Sequence, residues 1–278
     1  MKPLLEVEDL RVSFATPTGR LDAVRGVSFS LGRERLGIVG ESGSGKSLTG
    51  RAIMRLLPPA ARMEARKLSF DGIDLLSASA RQLRGIRGAR ISLVLQDPKY
   101  SLNPVMTVGE QTAEAARIHG GVSAREARRK ALEMLEAVRI RDPERVIRLY
   151  PHEVSGGMGQ RIMIAMMLVP EPDLLIADEP TSALDVTVQM QVLAILDDLV
   201  AKRGMGLIFI SHDLDLVGSF CDRVLVMYAG RVMEERAARD LAAATHPYTQ
   251  GLLRSLPRIT DNRTALPTLS RDPAWLDA

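Results

Sequence analysis

One stretch, Gly40-Glu41-Ser42-Gly43-Ser44-Gly45-Lys46-Ser47, constrains the fold of this chain more than any other. It fits the pattern G-x-x-x-x-G-K-[ST], and an apolar run, Leu36-Gly37-Ile38-Val39, stands directly before it. Such a short apolar run is what a strand buried on both faces of a parallel sheet requires. After the loop the sequence predicts a helix from about Lys46 to Leu57, stopped by Pro58-Pro59. Strand, glycine loop and helix in this order make a phosphate-binding loop. Consecutive backbone N–H groups cradle the anion, Lys46 reaches the β- and γ-phosphates, and the Ser47 hydroxyl takes a place on Mg²⁺. A chain carrying this unit has to build an α/β fold around it.

The rest of the sequence reads as strands and helices in alternation. Leu5–Val7, Arg11–Phe14 and Gly26–Leu31 read as short strands, with a loop from Ala15 to Arg20 holding Pro17 and Gly19. Ile91–Leu95 is a further strand, ending at Gln96. From Val108 to Leu149 the period turns helical. Ser123 and Glu126 are expected to form a capping box, and Ala127, Ala131, Met134 or Leu135 and Val138 an apolar face. This block reads as a helical subdomain inserted between two strands. The sheet resumes at Asp173–Asp178, and a helix with Val188, Val192, Ile195, Leu196 and Leu199 on one face ends near Gly204. Gly206–Ser211 and Arg223–Met227 read as strands, and Asp261–Ala278 as a polar tail.

Composition removes several function classes. No run of eighteen apolar residues exists, and Met1–Glu6 lacks the apolar core of a signal peptide, so a cytoplasmic protein is expected. Net charge is +3 and aromatic content 4%, too little for a nucleic-acid footprint; the basic run Arg125–Lys130 reads as a solvated helix face. Cys221 is the only cysteine, so no disulfide or iron–sulfur cluster is expected within the chain.

Polar residues at strand ends supply the remaining chemistry. Leu174-Leu175-Ile176-Ala177-Asp178-Glu179 is an apolar strand ending in two carboxylates. Asp178 can hold Mg²⁺ through its water shell, and Glu179 is placed to orient or deprotonate an attacking water. His212, after Ile208–Ser211, can hydrogen-bond a γ-phosphate or the water. Gln96 ends another strand, where its amide can sense Mg²⁺ or the γ-phosphate. Each of these, taken alone, is also an ordinary strand end. Upstream of the two carboxylates, Ser155-Gly156-Gly157 opens a second bare helix start able to reach a phosphate. One nucleotide does not need two cradles from the same chain.

Joined in this order, these residues resemble the nucleotide-binding subunits of ATP-binding cassette (ABC) transporters, over roughly Leu4 to Pro257. The resemblance implies a P-loop NTPase cassette: a RecA-like parallel-sheet core, an N-terminal antiparallel β subdomain and an inserted α-helical subdomain at about 97–165. The cassette would span 1–257 and a tail 258–278. Gly40–Ser47 matches the Walker A motif, which assigns Gly40, Ser42, Gly43, Ser44, Gly45, Lys46, Ser47 and Leu48 to ATP. Gln96 matches the Q-loop, and with Ser47 and Asp178 it makes the implied Mg²⁺ set. Leu174–Glu179 matches Walker B, with Glu179, His212 (the switch histidine) and Gln96 as the implied catalytic residues. Phe14 matches the aromatic position that stacks on adenine, and is equally readable as a strand core residue.

Ser155-Gly156-Gly157 with Gln160 matches the signature, and Ser182-Ala183-Leu184-Asp185 the D-loop. In the family two cassettes pack head to tail, so Ser155 and Gly157 would serve the ATP of a partner and Asp185 would line the seam. Gly159 is a departure, standing where the family has a basic or polar residue. The sequence predicts a weakened helix start and slower turnover from it, with Gly159→Arg raising activity.

Other stretches narrow the resemblance. Gln96-Asp97-Pro98, Ser101–Gln111, Tyr150–Glu153 and His246–Leu253 look like the dipeptide, oligopeptide and nickel importer group. This implies an ATPase subunit of a bacterial importer of di- or oligopeptides on the cytoplasmic face of the inner membrane, energising uptake through cassette dimerisation and hydrolysis. Its partners would be two membrane permease subunits, a second homologous cassette or a copy of itself, and an extracytoplasmic solute-binding protein indirectly, with no nucleic acid. A nickel or metal-chelate importer ATPase, and more remotely a soluble ABC ATPase of DNA repair or translation, stay open.

Overall fold

The apolar run before the glycine loop is a strand, β3 (Arg35–Val39), in the interior of a six-stranded sheet. The computed structural model describes residues 2–17, 19–97, 101–182 and 184–255, together with Asp272 and Trp275. Pro98, Ala183, Pro257 and almost all of the expected tail lie outside the described residues. The sheet order is β11-β10-β3-β9-β8-β7, from β7 (Ile91–Val94), β8 (Leu174–Asp178), β9 (Gly206–Ser211), β10 (Arg223–Tyr228) and β11 (Arg231–Ala237). All neighbours pair in parallel except β11, which folds back on β10. The turn between those two, Ala229–Gly230, has positive φ at both residues, as tight hairpins demand.

The apolar runs have little polar alternation because both faces of this sheet are covered. Leu175, Ala177, Leu207, Phe209, Val224 and Val226 enter one core, with the helices. Their neighbours Leu174, Ile176, Ile208, Ile210, Leu225 and Met227 enter a second. The period of two is preserved and apolar on both sides. Gly37 of β3 belongs to this packing: a Cβ there would sit 2.1 Å from a methyl of Val217 on α8 (Leu214–Phe220), so glycine lets that helix close on the sheet.

The second core is roofed by an antiparallel sheet of β1 (Leu5–Thr16), β2 (Gly19–Leu31), β5 (Lys67–Phe70) and β6 (Ile73–Asp74), with β4 (Ala61–Glu64) also paired to β1. The two short strands expected before Ala15 are one, and the expected loop Ala15–Arg20 is mostly hairpin, with Thr16 opposite Gly19. A register shift between Val7 and Leu10, where Asp9 takes φ 51, breaks the alternation that would have shown a single strand. α1 (Lys46–Ile53) stops short of the expected Leu57, because Arg55 turns into the left-handed region at φ 53. Its guanidinium there donates to the carbonyls of Leu75, Leu76 and Ala78.

Between β7 and β8 lie α3 (Val108–Gly120), α4 (Ala124–Ala137), the short α5 (Pro143–Val146) and α6 (Gly156–Leu168). Ala127, Ala131, Met134, Leu135 and Val138 are all buried, as the period predicts. Only half of the expected capping box forms. Ser123 accepts from the Glu126 N–H, but the Glu126 carboxylate is taken by Arg129. Full boxes form at Thr107/Glu110 before α3 and at Ser79/Gln82 before α2 (Ala80–Ile86). α7 (Val186–Arg203) ends on Gly204 in the left-handed conformation, and α9 (Pro247–Ser255) closes the described core. Among the described residues no helix is long and apolar enough to cross a membrane.

Candidate active site

Four adjacent parallel strands bring their carboxyl ends to one edge of the sheet, where α/β proteins place their ligands. The glycine loop follows β3, His212 follows β9, Glu179 follows β8, and Gln96 lies just past β7. Register aligns them, with Val39 beside Ser211, Asp178 beside Ile210 and Val94 beside Ala177.

The loop itself is shaped by glycines at positive φ: Gly40 at 151°, Gly43 at 81° and Gly45 at 96°. A Cβ on Gly40 would meet the Met227 carbonyl at 2.1 Å, and one on Gly45 the Ala23 carbonyl at 2.7 Å. Ser42 and Gly43 are exposed, Ser44 and Lys46 buried. Lys46 Nζ donates to the carbonyls of Gly40 and Glu41, both at 2.8 Å, so the ammonium is folded over its own loop. Burial pushes the Lys46 pKa down, opposed by the charges of Glu179, Asp178 and Glu41. α1 begins at Gly45 with no side chain capping it, which leaves its first amides to an anion. Leu48 is half-buried on that helix.

The Ser47 hydroxyl donates to Asp178 Oδ1 at 2.7 Å. Burial raises the Asp178 pKa, and this hydrogen bond opposes the rise. A hydroxyl and a carboxylate in contact, both hard oxygen donors, fit Mg²⁺, which needs only one or two protein oxygens beside phosphate and water. Bound there, Mg²⁺ would neutralise charge on the phosphates. Gln96, the third residue of the expected set, instead places Nε2 3.2 Å from Glu179 Oε2. The other carboxylate oxygen of Glu179 lies 3.3 Å from His212 Nδ1. Glu179 is held by an unusual backbone, φ 48, with its N–H donating to the Ile210 carbonyl. The expected catalytic set of Glu179, His212 and Gln96 is therefore one contiguous group. It can orient a water and accept its proton.

Phe14 is half-buried on β1 opposite Leu21, against the second core. Ser155 and Gly156 are exposed at the start of α6, where Ser155 Oγ accepts from the Met158 N–H at 3.3 Å. α6 packs on α3, α4 and β7, whereas α1 packs on β1, β2, β8 and β9, so the two glycine-bearing helix starts belong to different parts of the molecule. Asp185 caps α7 by accepting from the Val188 N–H. Gln160, on α6, is 2% exposed with Nε2 unpartnered, whereas Ser155 is at the surface. Gly159, in the first turn of the same helix, is buried too.

Sequence reasoning gave no chemistry to the loop's outer supports. The Gly230 N–H donates to the Ser44 carbonyl at 3.0 Å, and the Glu41 N–H to the Tyr248 hydroxyl at 3.3 Å. Tyr248 belongs to the stretch His246-Pro247-Tyr248-Thr249, singled out as a motif without an evident task.

Residues 24–182 match the model of the ABC transporter family. A probable peptide ABC transporter ATP-binding protein of Sinorhizobium fredii is 53% identical over 91% of this chain and 77% of its own length. The oligopeptide transport ATP-binding protein OppD of Salmonella typhimurium is 48% identical over 97% of this chain and 81% of its own length. Among solved structures, the dimeric post-hydrolysis state of the cassette MJ0796 bound to ADP and Pi superposes with TM-score 0.75 at 27% identity, covering 84% of this chain and 99% of that one. A loop with an uncapped helix, a part-buried Ser47–Asp178 contact and a carboxylate held between Gln96 and His212 are what an ATP-hydrolysing cassette needs, and with these matches the chain belongs to the ABC transporter family.

Proposed function

We propose that this chain is the ATPase subunit of a bacterial importer for di- or oligopeptides, working as one half of a cassette dimer. The carrying observation is that the glycine loop and a carboxylate held between Gln96 and His212 share one sheet edge, while an exposed helix start at Ser155-Gly156 lies on a different part of the fold. In the dimer Ser155 and Gly157 would close over the ATP held by the glycine loop of the other cassette. Hydrolysis would then remove the ligand that holds the two together, a two-state element biased by a γ-phosphate. Ser47 and Asp178 would hold Mg²⁺, and Phe14 would stack on adenine.

The substrate class follows the relatives, whose names specify peptides, oligopeptides or dipeptides and do not favour nickel. Two permease subunits would dock on the helical block, where Val105 is 79% exposed and Tyr150 stacks on His152 at the surface. Docking there would put the chain on the cytoplasmic face of the membrane. The test is to purify the intact complex with its solute-binding protein and identify the retained ligand by mass spectrometry. Short peptides are expected. Nickel or a nickel chelate would overturn the peptide assignment, and recovery with DNA or ribosomes in place of permeases would overturn the importer.

A further inference from the structure

Trp275, the only tryptophan of the chain, is far from the glycine loop in sequence and close to it in space. Its N–H donates to the Asp272 carbonyl, and the indole sits on a small aromatic cluster. Its ring stands edge-on to Tyr228 at 6.0 Å and to Tyr248 at 5.9 Å, and tilted on His246 at 5.9 Å. Tyr228 and Tyr248 are themselves in contact, at 4.6 Å between ring centroids. Both tyrosines then meet the glycine loop. The Tyr248 hydroxyl takes the Glu41 N–H, and Tyr228 lines a cavity of about 420 Å³ with Glu41, Ser42, Gly43 and Ser44.

The buried ring of Tyr248 is held from two sides. His246 Nδ1 accepts from the Tyr248 N–H at 3.1 Å, which fixes the backbone, and Trp275 covers the ring. A hydroxyl on a ring that cannot rotate away keeps the Glu41 amide, and with it the first turn of the loop, in one conformation. Preorganised amides bind an anion more tightly because less order is lost on binding.

We propose that Trp275 is a positioning residue for nucleotide binding: it locks Tyr248 and Tyr228 behind the glycine loop and so sets the loop's affinity for ATP from the far end of the chain. The inference uses only ATP binding at the glycine loop. Its failure would leave the peptide-import reading untouched.

The test titrates the full-length chain with a fluorescent ATP analogue and Mg²⁺, comparing wild type with Trp275→Ala, Trp275→Phe and Tyr248→Phe. Trp275→Ala is expected to raise Kd by about three- to tenfold through the lost ring contacts, and Trp275→Phe to recover most of that loss. Tyr248→Phe keeps the cluster but removes the hydroxyl. It is expected to raise Kd by a similar factor while the Trp275 emission stays that of a docked indole. In wild type, that emission is expected to shift on adding unlabelled ATP with the same midpoint as binding. A Kd within twofold of wild type for Trp275→Ala would overturn the proposal. If that variant fails to fold, Tyr248→Phe decides, and an unchanged Kd with the indole still docked overturns it.

Discussion

Two helix starts in this protein look alike in sequence and differ in physics. α1 follows three glycines and has no side-chain cap, so its free amides are an open anion site. α6 follows Ser155 and is closed by that residue's own hydroxyl, which accepts from the Met158 N–H. The first start is buttressed from behind by the Gly230 N–H, the Tyr248 hydroxyl and a buried Lys46. The second stands exposed, with the Ser155 hydroxyl proton still available to an acceptor outside the chain. The difference fits the proposed division of labour, in which α1 would hold a nucleotide alone and α6 would complete a site that another chain begins.

The largest effect should come from the carboxylate held between Gln96 and His212. Glu179→Gln keeps the hydrogen-bonding shape between Gln96 and His212 but removes the base. Turnover in the assembled complex should fall by about 10²-fold or more, and an ATP-bound dimer should accumulate in light scattering. Wild-type hydrolysis by this variant would remove Glu179 from catalysis.

The sharpest break of the comparison is a pair of variants. Lys46→Ala should weaken ATP binding by the isolated chain by about tenfold or more, because a buried ammonium is lost from the phosphate cradle. Ser155→Arg should leave binding by the isolated chain within about twofold and abolish ATP-driven dimerisation, since a surface arginine blocks the approach of the partner. Equal loss of binding in both variants would mean that the two helix starts serve one nucleotide of the same chain.

The rear support of α1 has its own pH signature. Glu234 is 8% exposed, and burial alone would raise its pKa. Hydrogen bonds from the Thr245 N–H and hydroxyl, Arg236 and the His246 N–H outweigh burial and bring it to about 2. A carboxylate depressed this way stabilises the fold fully above its unfolded value of 4.5 and loses that contribution as pH falls toward 2. It anchors the start of the segment that carries Tyr248. Glu234→Gln should therefore cost on the order of 2 kcal/mol at pH 7 and flatten the stability profile between those two pH values, read by denaturant unfolding. An unchanged profile would show that the Tyr248 segment is held by packing alone.

What was legible in the sequence follows from how local each signal is. Gly40–Ser47 carries its own strand, turn and helix, so loop and function could be read together. Asp178, Glu179, His212 and Gln96 were legible as strand ends, and parallel pairing then had to bring them together. The continuous β1 was hidden by a bulge at Asp9, and the end of α1 by the side-chain bonds of Arg55, neither of which has a periodic signature. Tyr248 was invisible as a support of Glu41 because nothing in the His246-Pro247-Tyr248-Thr249 stretch resembles phosphate chemistry. The burial of Gln160 was not legible either: the motif named it, and the helical period after Ser155 turns it inward.

The smallest expected effect tests α6 from inside. Gly159 lies in the first turn of the helix, buried, with its N–H donating to the Ser155 carbonyl at 2.8 Å. Gly159→Ala changes little besides backbone entropy, worth about 1 kcal/mol in favour of the helix. In a chain of this size that is a rise in Tm of about 2–4 °C. Such a rise without faster ATP turnover would mean that the helix start is already firm in the native state and that glycine there costs stability alone. A fall in Tm would mean that α6 needs the bare backbone at Gly159 for packing. In that case the exposed start at Ser155 is set by its neighbours in the helical block rather than by its own cap.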